Sequence, residues 1–375
     1  MKIGLVCPYN IAKGGGVQEI VLATRAELVK RGHNVKIITP LPRQGKIPKD
    51  PDVIFIGTST DFKSPTHTHV QVSASAGVSK IESMLAEENF DILHFHEPWI
   101  PMLSLQILQR SNAVNIATFH AKIPETLMSR TITRVVTPYL RSVLKYLDEM
   151  TAVSDSAAEY VTSLTDIPVT IIPNGIDLSK YKFSPDKKTS DTKTILYIGR
   201  LEKRKGVKFL LQAYQLLSQD DDNLRLIIGG DGPDRKKLEL LADELKLKNV
   251  SFLGYVSEEV KLDLLIQADV FCSPAIFGES FGIVLLEAMA TGVVASAGNN
   301  SGYNDLMQGV GALSITNPQD TSEFARQLKL LLNEPDIRKL WRTWAKSYVK
   351  QFSYPRVVDM YEELYIEAAK QHGNK

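Results

Sequence analysis

Two glutamates are notable for where they lie relative to a predicted helix. Glu279 precedes a run whose apolar residues follow helical spacing, and Glu287 lies inside that run, eight positions later. On a helix this separation is a rise of roughly 12 Å, so the two carboxylates cannot act on one reacting atom. The free N–H groups and positive dipole end of the helix suit an anion such as a diphosphate. The pattern therefore indicates a nucleotide-diphosphate sugar, held at its ribose, phosphates and sugar.

The helix that carries Glu287 has predictable ends. Ser280 is the expected N-cap, since its hydroxyl can accept from a free backbone N–H of the first turn. Gly292 falls where a left-handed C-cap glycine would lie. We therefore predict a loop over 272–279 and a helix from about Phe281 to Thr291.

Basic residues follow a strand in the second half of the chain. Arg200 and Lys205 flank the loop between a strand over 194–198 and a helix over 207–217. Two cations there match a diphosphate, and the arginine can fork onto phosphate oxygens. Three further basic residues are expected to be solvated, namely Lys203, Arg204 and Lys208.

Histidines cluster at strand ends in the first half. His94 and His96 alternate at the end of a strand over 90–95, and His120 follows a strand over 114–119. Ligands bind at the carboxyl ends of parallel strands, so we expect polar contacts here. A metal site formed by the three histidines is the alternative.

The elements repeat in a way that predicts fold class. A strand, a glycine-rich turn around Gly14 to Gly16, a helix and a second strand open the chain, and the strand–loop–helix order restarts near residue 194. This order predicts an α/β chain of two doubly wound, Rossmann-like domains. The glycine turn is not G-x-G-x-x-G, which disfavours a dinucleotide. It could bring N–H groups close to a phosphate, or be a tight turn without a ligand.

Composition narrows the function class. With 375 residues, 43% of them apolar, the chain is long enough for two domains, and a net charge of +1 gives no basic excess for nucleic acid. No apolar run of transmembrane length occurs, and the N-terminal apolar run is too short for a signal peptide. Cys7 and Cys272 lie in apolar runs, so we expect reduced core thiols in a cytoplasmic protein.

A helical stretch over 127–147 carries a basic stripe of Arg130, Arg134, Arg141 and Lys145, with Pro138 expected to kink or split the helix. Such a stripe is typical of a solvated face. The alternative is weak peripheral contact with the inner face of the cell membrane, or with an anionic acceptor.

Several segments together resemble the retaining glycosyltransferases of family 4, most of all the phosphatidylinositol mannosyltransferase group. The segments that carry the resemblance are Gly4–Tyr9, Gly15–Gln18, Leu93–Pro98, Ala117–His120, Ile172–Gly175 and Gly278–Ala290. The resemblance covers essentially the whole chain. It implies the GT-B fold, with two Rossmann-like domains facing an interdomain cleft. We expect an acceptor domain over 1–172, a donor domain over 173–351, and a C-terminal helix over 352–375 that packs on the first domain.

The resemblance also implies roles for individual residues. Catalytic roles fall to His120, at the sugar and pyrophosphate, and to Glu279, at the transferred sugar. The implied donor-binding residues are Gly16, Arg200, Lys205, Glu258, Lys261, Ser280, Phe281, Gly282, Ile283, Val284 and Glu287, with Glu287 on the ribose. Tyr9 and Gln18 are implied to face the acceptor.

The mechanism that the resemblance implies retains the anomeric configuration without a covalent enzyme intermediate. The acceptor hydroxyl attacks from the face that the diphosphate leaves, and a phosphate oxygen takes its proton. No cofactor or metal is expected. The donor and acceptor implied are GDP-mannose and a phosphatidylinositol-like lipid. The alternatives are a UDP-sugar with another lipid or soluble acceptor, a GT-B epimerase, and a non-catalytic sugar-nucleotide binding protein.

Two segments depart from the mannosyltransferase pattern. Helix 78–88, where that group carries a basic membrane cluster, has one lysine against three glutamates. The basic acceptor loop is replaced by residues 67–72, His-Thr-His-Val-Gln-Val. The first departure weighs against strong contact with an anionic membrane, and the second weighs against phosphatidylinositol as the acceptor.

Overall fold

The computed structural model describes residues 1–12, 14–42, 49–63, 69–73, 77–122, 130–184, 192–219 and 221–373, with only the backbone described for 59–63, 69–73 and 130–136. The chain divides into two compact units, residues 1–175 with 354–375, and residues 176–353. The C-terminal helix therefore belongs to the first unit. The predicted linker over 172–190 contains this boundary, and its last part lies outside the described residues.

The described part of the first unit is built on one sheet. Its strands are β1 Lys2–Val6, β2 Asn34–Leu41, β3 Val53–Lys63, β4 His69–Ser73, β5 Ile92–His96, β6 Val114–Phe119, β7 Glu149–Ala152 and β8 Val169–Ile171. Its helices are α1 Gly16–Lys30, α2 Val78–Glu88, α3 Leu103–Leu108, α4 Arg130–Leu144, α5 Asp155–Thr162 and α13 Tyr354–Gly373. The strand order is β4-β3-β2-β1-β5-β6-β7-β8, parallel except for the β3–β4 pair. The order reverses between β1 and β5, which is where such sheets bind ligands.

The second unit repeats this plan. Its described strands are β9 Lys193–Ile198, β10 Leu224–Gly229, β11 Val250–Gly254, β12 Val270–Ser273, β13 Val294–Gly298 and β14 Ile315–Thr316. Its described helices are α6 Val207–Ser218, α7 Arg235–Glu244, α8 Glu258–Gln267, α9 Ile283–Thr291, α10 Ser301–Leu306, α11 Thr321–Asn333 and α12 Pro335–Tyr348. The order β11-β10-β9-β12-β13-β14 is parallel, with the reversal between β9 and β12. The predicted class of two doubly wound α/β domains is confirmed.

Some local predictions were wrong. Helix α9 begins at Ile283 rather than Phe281, and its N-cap is Gly282 at φ 107°, not Ser280. A Cβ at Gly282 would lie 2.9 Å from the ring of Tyr303, so packing reserves this position for glycine. The C-cap at Gly292, with φ 79°, is confirmed.

One further expectation about an element was wrong. Residues 311–314 lie in a 3-10 turn, Gly309–Ser314, and not in a strand. Of the two expected effects of Pro138, splitting does not occur, because α4 continues through this exposed residue. Both cysteines are buried free thiols, as predicted.

A buried polar chain fixes α13 to the first sheet. The Thr151 hydroxyl donates to the carbonyl of Ala117 at 3.1 Å, so the 2.6 Å contact between Thr151 and Thr118 takes its proton from Thr118. His94 Nε2, 2.6 Å from the Thr118 hydroxyl, must then be the donor in that pair. His94 Nδ1 is left as the acceptor for the hydroxyl of Tyr365, 2.7 Å away on α13. The donor of each hydrogen bond from the Ala117 carbonyl to the Tyr365 hydroxyl is thus assigned.

This assignment predicts unequal effects for two tyrosines of α13. Tyr365→Phe leaves the fully buried Nδ1 of His94 without its donor, and should lower stability by about 1–3 kcal/mol. Tyr361→Phe removes a 3.2 Å contact to Thr118, whose oxygen keeps its other partners, and should cost less. Scanning calorimetry of the two variants measures the difference. A melting temperature for Tyr361→Phe at or below that of Tyr365→Phe would contradict the proton order.

Candidate active site

In the second unit, a charge cluster forms after β9. Arg200 Nε lies 2.6 Å from Oε1 of Glu202, and Arg204 Nε lies 3.0 Å from Oε2 of the same carboxylate. Arg204 Nη1 also lies 2.5 Å from Oε1 of Glu279, and Lys205 Nζ lies 2.7 Å from that oxygen. Three cations therefore alternate with two carboxylates. We call these five residues the charge cluster.

Electrostatics keep this cluster cationic. The side chains of Glu202 and Glu279 are only 8% and 12% exposed. Burial lowers the pKa of Arg204, but the charges of Glu279 and Glu202 more than reverse this, so the pKa is raised. Three positive groups against two negative ones leave one excess positive charge, which suits a bound anion.

Two glycines let the backbones of the cluster approach each other. A Cβ at Gly206, which has φ +71°, would lie 1.9 Å from the carbonyl oxygen of Pro274 at the end of β12. A Cβ at Gly302 would lie 2.3 Å from the carbonyl oxygen of Glu279. The first contact brings the loops after β9 and β12 together at the switch point of the second sheet, and the second sets α10 against the loop after β12.

The second carboxylate, Glu287, has its own partners on neighbouring elements. Lys261 Nζ lies 2.6 Å from its Oε1, and the Tyr181 hydroxyl donates to the same oxygen at 3.1 Å. Lys261 also lies 2.9 Å from the exposed Glu258. Burial raises the pKa of Glu287, and the Lys261 charge opposes that shift. A buried carboxylate held by fixed donors is a rigid acceptor for ligand hydroxyls.

The start of α9 lies between these carboxylates in sequence. Ile283 and Val284 are its first residues, and first-turn N–H groups have no partner within their own helix. The cap residue, Gly282, has no side chain that could accept a hydrogen bond from these N–H groups. Phe281 is buried and packs edge-to-face on Phe352, with ring centroids 5.8 Å apart.

In the first unit, His120 lies just past β6. Its Nε2 is 2.9 Å from Nδ1 of His96, and its backbone N–H donates to Oε1 of Glu97 at 2.7 Å. Burial lowers the pKa of His120 to about 4, so the ring is neutral at pH 7. Burial raises the pKa of Glu97 to about 8, against the opposing effect of backbone N–H groups of His120 and Ala121.

The other predicted residues of the first unit flank β1 and α1. Tyr9 lies near enough to Glu97 that burial, and then this carboxylate, raise the pKa of its phenol. Gly16 is the first residue of α1, and a Cβ there would meet no heavy atom of the described residues within 4 Å. Gln18 is buried in the first turn of α1.

The structure thus joins the predicted charged site residues of the second unit into two groups. Arg200, Lys205 and Glu279 are connected by Glu202 and Arg204, neither of which sequence reasoning assigned to the site. The expectation that Arg204 is solvated was wrong, because two carboxylates hold it. Lys203 and Lys208 are exposed, as predicted. The available signal was Glu202, the single acidic residue among the basic residues of 200–205.

Two alternatives concern other residues. The side chains of Arg130 and Arg134, half of the basic stripe, lie outside the described residues, while Arg141 and Lys145 are exposed.

In the part of the chain that the structure describes, no group of three His, Cys, Asp or Glu side chains could hold a metal ion. The histidine metal site therefore has no support there.

Comparison with known proteins decides the family. Residues 14–180 match the model of Glycosyltransferase Family 4, and residues 180–348 match that of Glycosyl transferases group 1. A phosphatidyl-myo-inositol mannosyltransferase of Mycolicibacterium smegmatis is 30% identical over 94% of this chain and 90% of its own length. The chain belongs to glycosyltransferase family 4. A second relative, the N-acetyl-alpha-D-glucosaminyl L-malate synthase of Bacillus anthracis, is 28% identical over 100% of this chain and 99% of its own.

Solved structures agree on the fold of this glycosyltransferase. A glycosyltransferase from Rickettsia africae superposes with a TM-score of 0.76, at 21% identity, over 98% of both chains. The expected GT-B fold is confirmed. Among the described residues of this glycosyltransferase, no helix is long and apolar enough to cross a membrane.

Proposed function

We propose that this glycosyltransferase moves mannose from GDP-mannose to a hydroxyl of a phosphatidylinositol-like lipid, with retention of anomeric configuration. The observation that carries the donor assignment is the pairing of a charge cluster with a net positive charge and a buried carboxylate, Glu287, in one unit. A diphosphate fits the first and a ribose the second. The choice of mannose and of an inositol lipid follows the names of relatives at about 30% identity.

Each residue then has a defined task. Arg200, Lys205 and the N–H groups at the start of α9 stabilise the charge that grows on the leaving diphosphate. Glu279, fixed by Lys205 and Arg204, accepts hydrogen bonds from the transferred sugar. In the first unit, neutral His120 contacts the sugar and pyrophosphate, Gly16 approaches the phosphate, and Tyr9 and Gln18 face the acceptor.

This electrostatic task requires no protein nucleophile. The acceptor hydroxyl attacks from the side on which the diphosphate departs, and a phosphate oxygen takes the proton. We propose that no metal is needed, because the cations of the charge cluster supply the positive charge that the leaving group requires.

A second candidate is transfer from a UDP-sugar to a different acceptor. The Bacillus anthracis relative is named for a glucosaminyl group and for malate, which is a soluble acceptor. The composition of α2, with Lys80 against three glutamates, favours at most weak contact with an anionic membrane.

Ligand-dependent melting separates the two candidates. The protein is heated with GDP-mannose, UDP-glucose, UDP-N-acetylglucosamine and the free nucleotides, since a ligand that binds the folded state raises the melting temperature. We expect stabilisation by GDP species, followed by mannose transfer to phosphatidylinositol vesicles with an α-linked product. Stabilisation by UDP species alone would replace the donor assignment. Binding of a nucleotide sugar without transfer to either acceptor class would favour a binding protein.

A further inference from the structure

Of the buried polar atoms in the first unit that lack a hydrogen-bond partner among the described residues, three belong to His96, His120 and Asn174. They are Nε2 of His96, Nδ1 of His120 and Oδ1 of Asn174. The three residues are 0%, 8% and 6% exposed. Buried polar atoms are almost always paired, so these atoms require an explanation. Two of them belong to the rings that meet through His96 Nδ1 and His120 Nε2, 2.9 Å apart.

One proton lies between the two rings. The ring that carries it determines whether Nδ1 of His120 is a hydrogen-bond donor or acceptor. Burial lowers the pKa of both histidines, so each ring carries a single N–H at neutral pH. If His120 Nε2 is the donor, its Nδ1 is an acceptor beside the acceptor oxygen of Asn174. If His96 Nδ1 is the donor, His120 carries its proton on Nδ1 and presents an N–H.

The surroundings favour the second arrangement. The side chain of Asn174 raises the pKa of His120 in opposition to burial, as an oxygen that accepts from the ring does. In this arrangement the unpartnered atom of His96 is an acceptor. The other arrangement would bury a donor N–H there, which is the rarer defect in folded proteins.

We propose that His96 is a positioning residue: its Nδ1–H donates to Nε2 of His120 and thereby holds the His120 proton on Nδ1, aimed at a substrate oxygen. Asn174 accepts from this N–H, at a longer distance than a full hydrogen bond, until substrate arrives. The role of His120 at the substrate rests on the proposed function, whereas the proton position does not.

Two substitutions separate positioning from mere packing. In His96→Asn, the side-chain amide lies where Nδ1 was and can still donate to His120. In His96→Gln, the amide lies where Nε2 was and cannot. We expect His96→Asn to keep kcat within about 3-fold, and His96→Gln to lose about 10-fold or more in kcat with little change in donor KM.

Two further readouts test the mechanism rather than the packing. The acid limb of the kcat/KM profile should move to higher pH in His96→Gln alone, because the donor that opposes protonation of His120 Nε2 is gone. Nitrogen-15 NMR of histidine-labelled protein, assigned with His120→Gln, should show a protonated Nδ1 at His120 in the wild type and in His96→Asn.

The outcomes are distinct. An acceptor-type Nδ1 at His120 in the wild type, or equal losses of kcat in the Asn and Gln variants, would overturn the positioning role. A protonated Nδ1 together with no transfer from any nucleotide sugar by the wild type would refute the proposed function and leave the proton assignment in place.

Discussion

Replacing Lys205 by methionine should lower kcat by about 100- to 1,000-fold, the range seen when one preorganised charge-stabilising donor is removed. The loss should fall mainly on kcat, because the charge on the leaving diphosphate is largest in the transition state. The fold should survive, since Glu279 keeps its 2.5 Å contact with Arg204 when Lys205 is lost. Steady-state kinetics with the nucleotide sugar that stabilises the protein, together with calorimetry, measure both effects.

The chain provides a matched control two residues away. Lys203 and Lys205 lie in one 3-10 turn, Lys203–Lys205. Lys203 is exposed, whereas the Lys205 side chain is 18% exposed and paired with Glu279. Lys203→Met removes the same charge with nearly the same change in side-chain shape, and should leave kcat unchanged. Equal losses in the two variants would mean that the general positive potential of the turn matters rather than the placed ammonium group. An unchanged kcat in Lys205→Met would remove Lys205 from the diphosphate site.

Sequence periodicity predicted most elements because each carries its own signal. The spacing of apolar residues in α9 and the glycine at its C-cap are local properties, and both are present in the structure. The N-cap was missed because a tertiary contact determines it. The ring of Tyr303 occupies the space beside Gly282, and the backbone at Gly282 is left-handed. The helix therefore begins at Ile283, after Gly282, and Ser280 is not its N-cap.

The candidate site was predictable as a set of strand-end residues but not as a set of pairs. Strand ends placed Arg200 and Lys205 at one edge of a sheet, and the resemblance placed Glu279 with them. The partners depend on how closely the loops after β9 and β12 and helix α10 approach one another, which Gly206 and Gly302 permit through contacts far apart in sequence. The sequence therefore indicated Arg200, Lys205 and Glu279, and it did not indicate Glu202 and Arg204, which connect them.

A Glu287→Gln variant should bind the nucleoside diphosphate about 10- to 100-fold more weakly than the wild type. Hydrogen bonds to a charged group contribute about 1.5–3 kcal/mol, and about 1.4 kcal/mol corresponds to tenfold in affinity. The glutamine has the same shape, and its oxygen can still accept from Tyr181, so folding should be preserved. Calorimetric titration gives the dissociation constants.

The assignment to ribose is tested by changing the ligand as well as the protein. The wild type should prefer the ribonucleotide over its 2′,3′-dideoxy analogue by about the same 10- to 100-fold. Glu287→Gln should bind both alike, because the ribose hydroxyls then have no carboxylate to which they can donate. The other carboxylate next to Lys261 is that of Glu258, whose side chain is 73% exposed. Glu258→Gln removes this carboxylate and should keep the preference for ribose. Loss of that preference in Glu258→Gln but not in Glu287→Gln would assign the ribose to the exposed carboxylate. An equal weakening of both ligands by Glu287→Gln would mean that the buried pair with Lys261 shapes the site without contacting the sugar ring.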